Sequence, residues 1–218
     1  LHKHGGAPKG LSCIIYNNKE IWKHQIYSYV NWPGGMYVSP TFRGSANGGI
    51  LAAGWSMLIN NGYESFKHKA VSLYNAQQKL IKEMTSIDNG ECIEIIGGNN
   101  QNGTIIAFKF KDEYASKYKM KSASMAQAMK IHFDWDLNIL QYPFGVHIQM
   151  GQRQLNDINN NTFINDLTKC IQLIKSNPNK YYTGNAQIYG AAAKIADRSL
   201  VAKSIASYAE FVATPFPN

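Results

Sequence analysis

The chain holds 218 residues with a mass of 24.4 kDa, 44% hydrophobic and 12% aromatic, which is core enough for one large domain or two small ones and excludes a disordered polypeptide. Its net charge of +8, from 22 basic and 14 acidic residues, favours anionic partners such as phosphorylated metabolites. The lysines form no run, however, and Lys67, Lys69, Lys79 and Lys82 are spaced as on the solvated face of one helix, so no nucleic-acid surface is expected.

The first ten residues read Leu1-His2-Lys3-His4-Gly5-Gly6-Ala7-Pro8-Lys9-Gly10. A lysine among histidines and glycines suits a reactive amine, whose usual task is an imine with a carbonyl cofactor, above all pyridoxal phosphate. Taken alone, the same residues also describe a flexible basic tail. Residues 12–16 are a short apolar, β-rich run before Asn17-Asn18 and predict a buried strand. Residues 31–49 are dense in Gly, Pro, Ser and Asn but carry the large anchors Trp32 and Tyr37, which predicts an ordered, functional loop.

Helical periodicity runs over 50–59, stops at Asn60-Asn61-Gly62, and resumes over 63–84 with Phe66, Ala70, Leu73, Tyr74, Gln77, Leu80, Ile81 and Met84 on one face. Strands are predicted over 92–96 and 104–110, a helix over 115–131, strands over 137–140 and 146–150, and a helix over 162–175. That order describes a small α+β lobe with helices on one sheet face. A Gly-bounded loop over 183–190 and an Ala-rich helix close the chain. The expected division is 1–60, the end of a larger α/β domain whose other strands lie elsewhere; 61–90, a connecting helix; 91–180, the small lobe; and 181–218, a terminal loop and helix.

Cys13, Cys92 and Cys170 are too few and too scattered for a disulfide framework and match no zinc spacing. They read as buried free thiols, consistent with a cytosolic or cytosol-facing compartment. No segment approaches the roughly 18 apolar residues of a membrane span.

Several separated motifs stand in one order along the chain: His2-Lys3 with Ala7-Pro8-Lys9-Gly10, Trp32-x-Gly34-Gly35-x-Tyr37-x-Ser39-Pro40-Thr41, Gly44-Ser45 with Gly48-Gly49, Leu137-Asn138-x-Leu140-Gln141 with His147, and Thr183-Gly184 with Ile188-Tyr189-Gly190. Together they resemble the C-terminal portion of the sphingosine-1-phosphate lyase family, within the group II decarboxylase-like enzymes. The resemblance implies an α/β fold of the fold-type I pyridoxal-phosphate transferase class, with the end of the large domain followed by a C-terminal α+β small domain. It also implies pyridoxal 5'-phosphate as cofactor, a homodimer with shared sites, and retro-aldol cleavage of a phosphorylated long-chain base to a fatty aldehyde and phosphoethanolamine. An amino-acid decarboxylase of the same fold, or a dimerising homologue without activity, are the alternatives.

By the same resemblance Lys3 carries the cofactor as an imine and then exchanges protons. His2 contacts the cofactor, and Gly44 and Ser45 hold its phosphate. Lys9 binds the substrate phosphate, Tyr37 reaches the headgroup or moves a proton, and Tyr189 lines the substrate pocket, whereas His147 is expected to be a packed residue. Two departures lie beside the cofactor: His4 where the family has tyrosine, and Ala46-Asn47 where it has Arg-Pro. Arg43, three residues earlier, is expected to offset the lost arginine with a different geometry. The aspartate, stacking ring and Gly/Thr cradle of such a site are expected upstream of Lys3, so the chain is expected to be a section of a longer polypeptide, inactive alone.

Overall fold

The computed structural model describes residues 1–3, 5–41, 43–99 and 103–213. It divides into two compact units, Leu1–His68 and Lys69–Asn218.

The first unit contains α1 (Lys19–Lys23), the antiparallel hairpin β1 (Tyr27–Tyr29) and β2 (Tyr37–Ser39), and the first part of α2 (Gly48–Thr85). Asn18 starts α1 by accepting the Ile21 N–H on its side chain at 2.9 Å, with Glu20 in the first turn and Lys23 in the last, as the helix dipole favours. Within α2, Gly62 breaks the helical path at φ 64°, ψ 176°, a region essentially reserved for glycine. The break falls where Asn60-Asn61-Gly62 interrupts the apolar periodicity.

Residues 12–16 form no strand. Among the described residues they have no strand to pair with, and Ile14 and Ile15 stand 65% and 90% exposed. β-Propensity expresses itself only against a neighbouring strand.

The second unit holds a four-stranded antiparallel sheet of order β3-β4-β6-β5, made of β3 (Ile93–Ile95), β4 (Ile105–Phe110), β5 (Asn138–Leu140) and β6 (Gly145–Gln149). Its helices are α3 (Asp112–Tyr118), α4 (Ser124–Phe133), α5 (Leu155–Asn159), α6 (Thr162–Ser176), α7 (Asn185–Lys194) and α8 (Arg198–Ala213). β4 pairs with β6 so that Ile106 faces Ile148 and Phe108 faces Val146. Alternation along β4 buries Ile106, Phe108 and Phe110, and these join Phe163, Leu167, Cys170, Ile171 and Ile174 of α6 in one core. The three- and four-residue spacing of the α6 set is the stripe the sequence shows.

The single helix expected over 115–131 is two, α3 and α4. Lys119 ends α3 in the left-handed region at φ 55°, and Met120 is then drawn into the core, 4% exposed. Ser122 Oγ accepts the Phe110 N–H at 3.0 Å, which fixes the turn between the helices against the sheet. The loop expected over 183–190 is also corrected: from Asn185 it is α7, starting after Gly184.

Candidate functional site

Six of the seven residues singled out for chemistry, His2, Lys3, Lys9, Tyr37, Gly44 and Ser45, lie in the first unit; Tyr189 lies in the second. The glycine-rich segment around Lys3 is a folded loop: Gly6 N–H donates to Lys3 O at 3.4 Å and Ala7 N–H to Leu1 O at 3.3 Å. Ala7 and Leu11 anchor it, each 8% exposed. Leu11 packs directly on Gly54 of α2, where even a Cβ would collide with it. His2, Lys3 and Lys9 remain exposed on this anchored loop. A tethered loop that presents its amines to solvent is unlike a free tail. His4 lies outside the described residues.

Tyr37 opens β2 opposite Tyr29. Its ring stands edge-on to Trp32 at 6.5 Å between centroids and tilted against Tyr27 at 6.4 Å. Tyr27, Tyr29, Trp32 and Tyr37 line a depression of about 320 Å³. The chain then runs through Ser39, which is buried and exchanges hydrogen bonds with Thr41: its Oγ donates to Thr41 O at 2.6 Å and accepts Thr41 N–H at 3.3 Å. Gln25 holds the same stretch from the other side, donating Nε2 to Pro40 O at 2.6 Å while accepting the Tyr16 hydroxyl. Thr41 Oγ1 reaches Gly44 O at 3.4 Å.

Gly44 and Ser45 are exposed just ahead of α2. Asn47 accepts the Gly49 N–H on Oδ1 at 2.8 Å and the Leu51 N–H on its carbonyl at 3.3 Å, so it begins the helix. The loops of Lys9 and Ser45 are joined by Arg43, whose Nη1 donates to Gly10 O at 2.7 Å.

These residues fit two ends of a pyridoxal phosphate. Lys3 offers an accessible primary amine, and Gly44, Ser45 and the start of α2 offer hydroxyl and N–H donors to a phosphate. The ring nitrogen finds no acid here: the unit's carboxylates are Glu20, bound to Lys23 at 2.8 Å, and Glu64 on α2.

Tyr189 sits on α7 and is 38% exposed. His147 lies on β6 between Ala107 and Asn138, partly buried, its Nδ1 without a hydrogen-bond partner among the described residues. Of the thiols, Cys92 and Cys170 are buried but Cys13 is exposed, because the residues around it form no strand. No group of acidic, His or Cys side chains among the described residues could hold a metal. No described helix is long and apolar enough to cross a membrane. Sequence reasoning missed Tyr27 and Tyr29 of the aromatic depression; the alternation Tyr27-Ser28-Tyr29 was the available signal.

No protein-family model matches the chain. It is 33% identical over 210 residues to a sphingosine-1-phosphate lyase of Arabidopsis thaliana, covering 95% of this chain and 36% of that protein. To the Dictyostelium discoideum sphingosine-1-phosphate lyase it is 33% identical over 216 residues, covering 98% of this chain and 38% of the relative. It superposes on a solved Burkholderia pseudomallei sphingosine-1-phosphate lyase with a TM-score of 0.72 and 21% identity, over 99% of this chain and 41% of the other, which gives it the fold of that part of a fold-type I enzyme. The chain thus spans little more than a third of the curated relatives it matches, and over nearly its whole length it is similar to sphingosine-1-phosphate lyases.

Proposed function

We propose that this chain supplies the lysine loop, the phosphate-facing turn and the small domain of a pyridoxal-phosphate-dependent lyase that cleaves a phosphorylated long-chain base to a fatty aldehyde and phosphoethanolamine. The supporting observation is the joining of the exposed Lys3–Lys9 loop to the Gly44–Ser45 turn through Arg43. Homology to proteins named sphingosine-1-phosphate lyase supports the choice of substrate. Residues 1–60 then complete a large domain, and the acid for the ring nitrogen comes from another part of the polypeptide or from a second subunit.

Lys3 is the amine that would hold the cofactor and later deliver a proton to C2 of the substrate, once the C2–C3 bond has broken. When bound, the cofactor supplies an electron sink for the pair released by C2–C3 cleavage. Ser45, with Gly44 and the first N–H groups of α2, binds the cofactor's phosphate, and His2 stands beside Lys3 to contact it. Lys9 pairs with the substrate phosphate as a compact cation on a flexible stem. Tyr37, one of four side chains lining an aromatic depression, reaches the headgroup or exchanges a proton with the substrate. The depression offers aromatic surface to an alkyl chain. Tyr189 is assigned to substrate contact by the family resemblance.

The test uses the intact polypeptide with its cofactor. Borohydride reduction followed by peptide mapping is expected to tag Lys3, and Lys3→Ala is expected to abolish both the tag and turnover. A tag on another lysine, or none, ends this reading. Release of carbon dioxide from an amino acid, without aldehyde, would make the protein a decarboxylase of the same fold.

A further inference from the structure

Arg43 and Lys9 are two exposed cations on stretches of chain that one hydrogen bond joins. The guanidinium of Arg43 donates to the carbonyl of Gly10, at 2.7 Å, across 33 residues of sequence. Lys9 is the residue before Gly10, one peptide unit away, so its Cα lies about 3.8 Å from that of Gly10. Gly10 itself sits at φ 91°, a conformation that a side chain would strain, and this backbone is what offers its carbonyl to Arg43. Among the described residues neither Lys9 nor Arg43 pairs with a carboxylate. The unit carries six Lys and Arg against two carboxylates, Glu20 and Glu64, and Glu20 is bound by Lys23.

Exposed cations on joined stretches of chain, without a carboxylate among the described residues, favour an anion. The chemistry of the two groups is complementary. A guanidinium presents five N–H donors in a planar fork, and among the described residues its one hydrogen bond is to Gly10. The remaining donors suit two phosphate oxygens, and the ammonium of Lys9 suits the third as a point charge.

We propose that Arg43 and Lys9 form a two-cation clamp on the phosphate of the substrate, in which Arg43 both binds the phosphate and fixes the loop that presents Lys9. The proposal rests on the lyase reading of the same site and deepens it, by assigning the recognition of a phosphomonoester dianion to a residue outside the motifs that carry the resemblance. The clamp selects for the phosphate end of the ligand, so an otherwise identical amine without phosphate gains nothing from Arg43.

The experiment is a calorimetric titration of phosphoethanolamine, and of ethanolamine as the probe without phosphate, into the intact cofactor-loaded polypeptide carrying Arg43→Gln or Arg43→Lys. Gln removes the charge and shortens the side chain; Lys keeps the charge with a single donor point. Hydrogen exchange of the Gly10 and Leu11 amides reports the loop. The expected result is a loss of phosphoethanolamine affinity of about tenfold or more for Arg43→Gln, the range of a charged hydrogen bond, with a smaller loss for Arg43→Lys, little change for ethanolamine, and loop exchange near wild type in Arg43→Lys. Unchanged phosphoethanolamine affinity in both variants overturns the clamp. So does an equal loss in both accompanied by faster exchange at Gly10 and Leu11, which would make Arg43 a strut alone. Failure of the clamp leaves the borohydride tag on Lys3 in place, whereas failure of the lyase reading removes it.

Discussion

The two units put the same kinds of residue to different use. In the second, every large member of the continuous core lies between Ala76 and Tyr181, with Phe108, Phe110, Phe163, Leu80, Met84 and Ile106 at 1% exposure or less. In the first, the buried apolar side chains among the described residues are Ala7 and Leu11, while Ile15, Met36, Trp55 and Tyr63 are 90%, 88%, 66% and 75% exposed. Hydrophobic composition alone does not separate the two. What differs is partnership: the second unit contains the strands and helices its apolar faces need, and the first leaves large apolar side chains exposed.

The sharpest way to break that contrast is to truncate one residue in each unit. Phe163→Ala leaves a cavity beneath Trp135, whose ring packs edge-on at 4.9 Å, and is expected to cost about 3–5 kcal/mol in chemical denaturation. Ile15→Ala is expected to stay within about 0.5 kcal/mol, as exposed sites do. Comparable losses at the two positions would mean that the first unit has a core of its own.

A second measurement sharpens the account of the sheet. At Gly145, which opens β6 opposite Leu140, a Cβ would stand 2.8 Å from Phe108 O and 2.9 Å from Ile96 Cδ1. Gly145→Ala therefore forces a backbone shift between β4 and β6, and about 1–3 kcal/mol of destabilisation is expected. A neutral result would show that the central strand pair gives way more easily than a packed core.

The parts of the fold that were legible in the sequence are those where local and tertiary preferences agree. The apolar stripe of α6, the break at Gly62 and the alternation along β4 each have one signal pointing one way. The split between α3 and α4 was not legible, because Lys119-Met120-Lys121 contains no helix breaker; burial of Met120 and the Ser122 bond to Phe110 decide it from outside the segment. The hairpin β1–β2 was hidden for the opposite reason, its three-residue strands being submerged in Gly- and Pro-rich sequence. At the site, motif order put Lys3, Tyr37 and Ser45 forward together. The bond that joins the Gly10 and Arg43 stretches was not legible, since a guanidinium bond across 33 residues leaves no periodic trace.

The smallest expected effect concerns the thiols, and it separates the units by charge instead of packing. Burial pushes Cys170 from 9.0 to about 12. Burial does the same to Cys92, opposed in part by its hydrogen bond with Tyr114 and reinforced by Asp88 nearby, again reaching about 12. Between pH 9 and 12 the folded chain therefore keeps protons that the unfolded chain has released, so its stability falls as pH rises through that window and is unaffected by these groups below it. Lysines and tyrosines titrate over the same range, so the readout is a difference: Cys170→Ala should flatten the slope of stability against pH even though it lowers stability itself. Cys13, exposed in the first unit, should instead react with a thiol reagent without unfolding. An equal slope in wild type and Cys170→Ala would mean that the buried thiols reach solvent in the native state, and rapid reaction of Cys92 or Cys170 with a thiol reagent would then accompany it.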